Sequence, residues 1–123
     1  MASNTVAVVD DDAEIVDVLT RGLEQNGFKV KSFTNPLAVV DYLKDPTVPC
    51  CLVVSDARMP AISGFELARR VKAMRQDIKI VLISAFDINK DEIMKVMPNA
   101  AIDNFLTKPF QLSQLVEVLH SFD

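Results

Sequence analysis

Apolar and polar positions change period in blocks along this chain. Thr5–Val9 is a short apolar run. Ile15, Val18, Leu19, Gly22 and Leu23 follow at helical spacing until Asn26-Gly27 supplies a stop. FKVKSF, residues 28–33, alternates apolar with polar, which is strand period. Asn35-Pro36 opens a second helix, with Asn35 as its cap and Pro36 at its first position. Leu37, Val40, Tyr42 and Leu43 populate it, and Asp45-Pro46 ends it. Residues 50–55 (CCLVVS) are a third strand. A third helix runs from Gly64 to about Arg75, with Leu67, Ala68, Val71 and Met74 on one face. Residues 78–84 (IKIVLIS) are a fourth strand, and residues 89–97 a short fourth helix closed by Pro98. Residues 104–107 (NFLT) are a fifth strand, and Leu112, Leu115, Val116, Leu119 and Phe122 mark a fifth helix.

Five β-α units in strict alternation predict an α/β fold, a parallel five-stranded sheet with helices on both faces. Runs one, three and four are almost continuously apolar, as strands covered on both faces must be. Run two places Lys29 and Lys31 on alternate positions, which suits a protected edge. Run five is short and suits the other edge. The order 2-1-3-4-5 satisfies these constraints, which makes the fold doubly wound and flavodoxin-like. Its ligand crevice lies at the strands' carboxyl ends, where the connections reverse.

The remaining sequence features narrow the class. The 123 residues suit one domain, residues 1–123, with one core, and half of them are apolar. A net charge of −4 argues against direct nucleic-acid binding, which needs clustered Lys and Arg. No apolar run approaches the ~20 residues that span a bilayer. The first residues, Met-Ala-Ser-Asn-Thr, lack the basic start and apolar stretch of a signal peptide. No membrane association and a cytoplasmic location are therefore expected. Cys50 and Cys51 are adjacent; in a strand they face opposite ways, and they read as small buried apolar residues.

The chemistry collects at the carboxyl ends. Strand one runs into Asp10, Asp11 and Asp12; strand three ends on Ser55-Asp56, strand four on Ser84-Ala85, and strand five on Lys108-Pro109. Asp12 reads as the cap of the first helix. Any one of the others has an ordinary explanation, as a first-turn acid, a turn former or a solvated lysine. Together at one sheet edge they do not. Two like unit charges ~4 Å apart repel by about 4 kcal/mol at an effective dielectric of 20. Such crowding calls for a cation, and Mg2+ is the ordinary choice when phosphate is the other ligand. A metal, a lysine and an aspartate nucleophile are what phosphoryl transfer to a carboxylate requires.

With these residues in place, the sequence resembles the receiver domain of two-component response regulators, from about residue 5 to residue 122. The motifs are VVDDD at 8–12, VVSDARMPAISG at 53–64, ISA at 83–85 and FLTKPF at 105–110. The resemblance implies that Asp56 is the phosphoacceptor. It implies that Asp10 and Asp11 hold Mg2+ with Asp56 and the backbone carbonyl of Arg58. Ser84 is then the hydroxyl that moves to the phosphoryl group, Ala85 the small residue that admits it, Lys108 its cationic partner and Phe105 the aromatic switch. The Lys108-Pro109 bond is expected to be cis. Arg58 and Phe86 would flank the path of hydrolytic water and set the phosphoryl lifetime.

The resemblance also implies partners. A sensor histidine kinase or phosphotransfer protein supplies the phosphoryl group, and a downstream effector protein or a fused output domain reads the fourth helix, fifth strand and fifth helix. The domain would catalyse its own phosphorylation and dephosphorylation without being a conventional enzyme. Two positions depart from the family pattern: MPNAAID (97–103) lacks the glycine that often precedes strand five, and residue 105 is Phe where Tyr is also common. One competing reading is a Mg2+-dependent phosphohydrolase of the haloacid-dehalogenase type. Asp10-x-Asp12 matches its motif and Asp10 would be the nucleophile, but Ala13-Glu14 do not continue it. A flavin binder of the same fold would need a glycine- and hydroxyl-rich loop after strand one, where this chain has three acids.

Overall fold

The computed structural model describes residues 4–84 and 102–122. The chain enters on β1 (Thr5–Val9) and continues through α1 (Ala13–Gln25), β2 (Lys29–Phe33) and α2 (Pro36–Leu43). It goes on to β3 (Leu52–Asp56), α3 (Gly64–Met74), β4 (Lys79–Ser84), β5 (Asn104–Thr107) and α4 (Leu112–His120). The strands form one parallel sheet in the order β2-β1-β3-β4-β5, as the run pattern required. The predicted helix at 89–97, together with Ala85, Phe86, Pro98 and Ala101, lies outside the described residues.

Helix starts follow local chemistry. The Asp12 carboxylate accepts the Glu14 N–H at 3.0 Å, and the Asn35 side chain accepts the Leu37 N–H at 2.9 Å ahead of Pro36. Both caps match the sequence expectation. Ser63 caps α3 by accepting the Glu66 N–H at 3.2 Å, the start of a Ser-x-x-Glu pattern. After α1 the chain turns at Gly27, whose φ of +90° favours glycine.

Period-2 alternation splits the central strands between two cores. Ala7, Val9, Val53, Ile80 and Leu82 face α2 and α3, against Val39, Leu43, Leu67, Ala68 and Val71. Val6, Val8, Leu52, Val54, Val81 and Ile83 face α1 and α4, against Val16, Leu19, Leu23, Leu115 and Leu119. Cys50 joins the first core and packs there buried, while Cys51 packs at the edge of the second; the two thiols lie on opposite sides, as adjacent strand residues must, and are not joined in a disulfide. Lys29 and Lys31 are exposed on the β2 edge.

Three apolar residues of the helical patterns are not core. Val18 is 67 % exposed because it sits two residues, some 200° of helix, past buried Val16. Leu37 and Met74 are 40 % and 38 % exposed because they occupy the ends of α2 and α3. The third strand also begins two residues later than its apolar run and includes Asp56.

Candidate functional site

β1 delivers Asp10 to the crevice with 3 % of its surface exposed. The Asp12 N–H donates to Asp10 Oδ1 at 2.9 Å, so the loop that caps α1 also fixes this carboxylate. Asp11 is exposed and Asp56, at the end of β3, is half-buried. One carboxylate oxygen from each of Asp10, Asp11 and Asp56 lies within 4.8 Å of the others. Burial pushes the Asp10 carboxyl up to about 6; the Asp12 N–H opposes this, the Asp56 charge adds to it, Lys108 opposes it and the Asp11 side chain adds to it. Asp10 is thus ionised at neutral pH only against its surroundings.

The other strand ends close the site. Lys108 Nζ stands 3.8 Å from Asp56 Oδ2, near the outer limit for an ion pair. Its backbone N–H donates to the Ser84 carbonyl at 2.8 Å, which ties the end of β5 to the end of β4. The Lys108-Pro109 peptide is cis. Ser84 is 0 % exposed, and its Oγ has no hydrogen-bond partner among the described residues. The Arg58 N–H reaches Asp56 Oδ1 at 3.4 Å, while the Arg58 side chain is exposed. Phe105 is half-buried and packs against the α2–α3 side of the core.

The sheet therefore brings Asp10, Asp11, Asp56, Lys108 and Ser84 to one crevice. Phe105 lies on a neighbouring strand, and Phe86 falls outside the described residues. Three hard oxygen donors at close quarters, one of them buried and charged at a cost, fit a hard divalent cation. Two further residues shape the site without having been singled out in the sequence. Ser55 and Gly64 both meet the main-chain carbonyl of Asp56. A hydroxyl immediately before the central acid, on a face otherwise apolar, was the available signal.

The family model for the response regulator receiver domain matches residues 6–120. The chain belongs to the response regulator receiver domain family. It is similar to the transcriptional regulatory protein FixJ of Bradyrhizobium diazoefficiens, 34 % identical over 116 residues, covering 94 % of this chain and 55 % of FixJ. Against the crystal structure of FixJ-N the TM-score is 0.83 at 27 % identity, over 99 % of this chain and 94 % of that one. Against the BeF3-activated DrrB receiver domain it is 0.79 at 31 % identity, over 98 % and 97 %. The chain spans about half, or less, of the length of the curated relatives it matches.

Receiver domains bind Mg2+ at an acidic aspartate cluster, and the aspartate group here is Asp10, Asp11 and Asp56. Response regulators receive signals from kinases and act on effectors or output domains. The phosphohydrolase alternative, with Asp10 as nucleophile, is not supported: the receiver-domain family match covers residues 6–120 of this chain. Among the described residues no helix is long and apolar enough to cross a membrane.

Proposed function

We propose that this receiver domain accepts a phosphoryl group on Asp56 from the phosphohistidine of a sensor histidine kinase or a phosphotransfer protein. An Asp56 oxygen attacks phosphorus, the phosphorus–nitrogen bond breaks, and the histidine leaves with that bond's electron pair and takes up a proton. What supports this reading is the convergence of the three carboxylates, with oxygens within 4.8 Å of one another. Asp10, Asp11, Asp56 and the Arg58 carbonyl would hold Mg2+. The ion, when bound, neutralises phosphoryl oxygens and makes the anionic donor tolerable beside the acids. Lys108, with its Nζ 3.8 Å from Asp56 Oδ2, supplies the second positive charge. Ser84 carries a buried hydroxyl with no partner of its own among the described residues, and the phosphoryl group would give it one.

That recruitment would pull the end of β4 toward the site, and Phe105 would turn inward with it. The face read by the output then comprises the predicted helix at 89–97, β5 and α4. Activation is a shift between populated states, biased by the phosphoryl group. Residues 1–123 act as a single cytoplasmic receiver domain that modifies itself. Its output is a separate effector protein or a domain fused beyond this segment, and it does not itself bind nucleic acid.

The test uses acetyl phosphate as donor with Mg2+ present. The protein should gain one phosphoryl group in a bond that hydroxylamine cleaves, as an acyl phosphate must. Asp56→Asn should abolish the labelling and Asp11→Ala should nearly do so. Full labelling of Asp56→Asn would overturn the assignment.

A further inference from the structure

Ser55 is a fully buried hydroxyl that phosphoryl transfer does not use. It is 0 % exposed on a strand face otherwise built of Val53 and the α3 side of the core. Its Oγ donates to the main-chain oxygen of Asp56 at 2.9 Å, and the Met59 sulfur lies 3.9 Å from the same Oγ. The hydroxyl therefore sits between the peptide that carries Asp56 and the residue just after Arg58.

The same carbonyl is enclosed from α3. A Cβ built on Gly64 would overlap the Asp56 oxygen, and would stand 3.1 Å from Ala57 Cα and 3.0 Å from Leu82 Cδ2. The Gly64 N–H donates to the Ala57 carbonyl at 3.0 Å, and the Ala57 N–H donates to the Ile83 carbonyl at 2.8 Å. Residues 56 and 57 are thus fixed by the sheet on one side and by the bare first residue of α3 on the other. Carbonyl oxygen has two lone pairs, and a buried one gains from a hydroxyl donor where the ladder leaves capacity.

We propose that Ser55 and Gly64 are positioning residues that clamp the Asp56 carbonyl and so fix the Asp56 carboxylate, and the loop bearing the Arg58 carbonyl, for divalent-cation binding. Neither touches the cation or the phosphoryl group. They act by setting the spacing between the end of β3 and the acids that follow β1. The proposal rests on the Mg2+ reading of the site given above.

The experiment measures Mg2+ affinity from the rise of melting temperature with Mg2+ concentration, and from amide shifts in an NMR titration. Parent, Ser55→Ala, Ser55→Thr, Gly64→Ala and Gly22→Ala are compared. Ser55→Ala removes one hydroxyl from a well-packed site and keeps the fold. It should weaken Mg2+ roughly tenfold, the scale seen when a group that orients a metal ligand is lost. Ser55→Thr restores the donor and should recover most of the affinity. Gly64→Ala should weaken Mg2+ at least as much.

Gly22→Ala is the control for mere destabilisation. Its Cβ would first meet the Leu112 side chain, ten positions along α1 from the Asp12 cap, so stability should fall while Mg2+ affinity stays at the parental value. Parental Mg2+ affinity in Ser55→Ala would overturn the proposal even if Gly64→Ala did not fold. A weakened Ser55→Thr equal to Ser55→Ala would also overturn it, because the hydroxyl would then be irrelevant. A parent that does not bind Mg2+ would overturn the site assignment itself, and that outcome is read separately from the variants.

Discussion

Asp10→Asn should make the protein more stable in Mg2+-free buffer at neutral and alkaline pH. The carboxyl of Asp10 is pushed from 3.8 up to about 6, with burial the largest cause. A group whose folded pKa is raised keeps its proton more firmly in the fold than in the unfolded chain. Its contribution is therefore fully present below about pH 4 and is lost as pH climbs through about 6. A gap of about 2 pK units, at 1.36 kcal/mol each, makes that loss about 3 kcal/mol. With 3 % of Asp10 exposed, little solvent screening reduces it. Asparagine cannot ionise, yet its Oδ1 can still accept the Asp12 N–H that Asp10 accepts at 2.9 Å. At about 4 °C per kcal/mol for a domain of this size, the variant should melt roughly 10 °C higher near pH 8. The assay is thermal unfolding in chelator across the pH range, for parent, Asp10→Asn and Asp11→Asn. The advantage should vanish near pH 4 and grow through pH 6. Asp11→Asn should gain far less, because Asp11 is exposed to solvent. Excess Mg2+ should shrink the difference, since the parent gains a ligand-bound state that the variant forms poorly. An Asp10→Asn protein no more stable than the parent at pH 8 in chelator would refute the reasoning, as would an advantage independent of pH.

Four further outcomes follow from particular residues. Ala61 holds φ at +73° while the Ile62 N–H donates across it to the Pro60 carbonyl at 3.0 Å, a three-residue turn strained for any L side chain. Ala61→Gly should raise the urea midpoint by the equivalent of ~0.5–1 kcal/mol, the relief being partly offset by glycine's freedom in the unfolded chain; a lower midpoint would refute the strain. Asp103 Oδ2 accepts the Ile80 N–H at 2.8 Å and pairs with Lys72 at 2.9 Å in a half-buried setting, so Asp103→Ala should cost about 1–3 kcal/mol in chemical unfolding. Arg69→Ala, which breaks an exposed pair with Glu66, should cost under about 1 kcal/mol, and equal losses would show that burial does not separate the two. Arg58→Asn with Phe86→Glu should speed first-order loss of phosphate from the phosphoprotein with Mg2+ present; unchanged rates would show that these side chains do not guard the acyl phosphate.

Much of this molecule can be read from residue order, for physical reasons that also mark where the reading stops. Strands buried on both faces must be apolar throughout, so β1, β3 and β4 announce themselves and the edge strands stand apart through Lys29, Lys31 and shortness. Carboxyl ends of parallel strands point one way, so Asp10, Asp56, Ser84 and Lys108 could be brought together before any coordinates. What pattern does not encode is the angle at which a helix ends or faces. Val18 and Met74 fit the apolar spacing, yet one points away from the sheet and the other sits where α3 stops. Nor does a motif distinguish acids by burial. Asp10 and Asp11 look equivalent in sequence, but the Asp12 loop turns one inward and leaves the other in water. Ser55 escaped notice because a hydroxyl at a strand end is usually just a polar terminus, and only its bond to Asp56 separates the two cases.

Two features of the site bear on how the proposed switch would work. Ionised Asp10 is the first, costing about 3 kcal/mol above pH 6. Ser84 is the second: its Oγ is buried with no hydrogen-bond partner among the described residues. In the proposed mechanism a cation would relieve the first, and a phosphoryl oxygen on Asp56 would give the second a partner only if Ser84 moved to it. Because the Ser84 carbonyl also accepts the Lys108 N–H, that proposed movement would be felt at the end of β5.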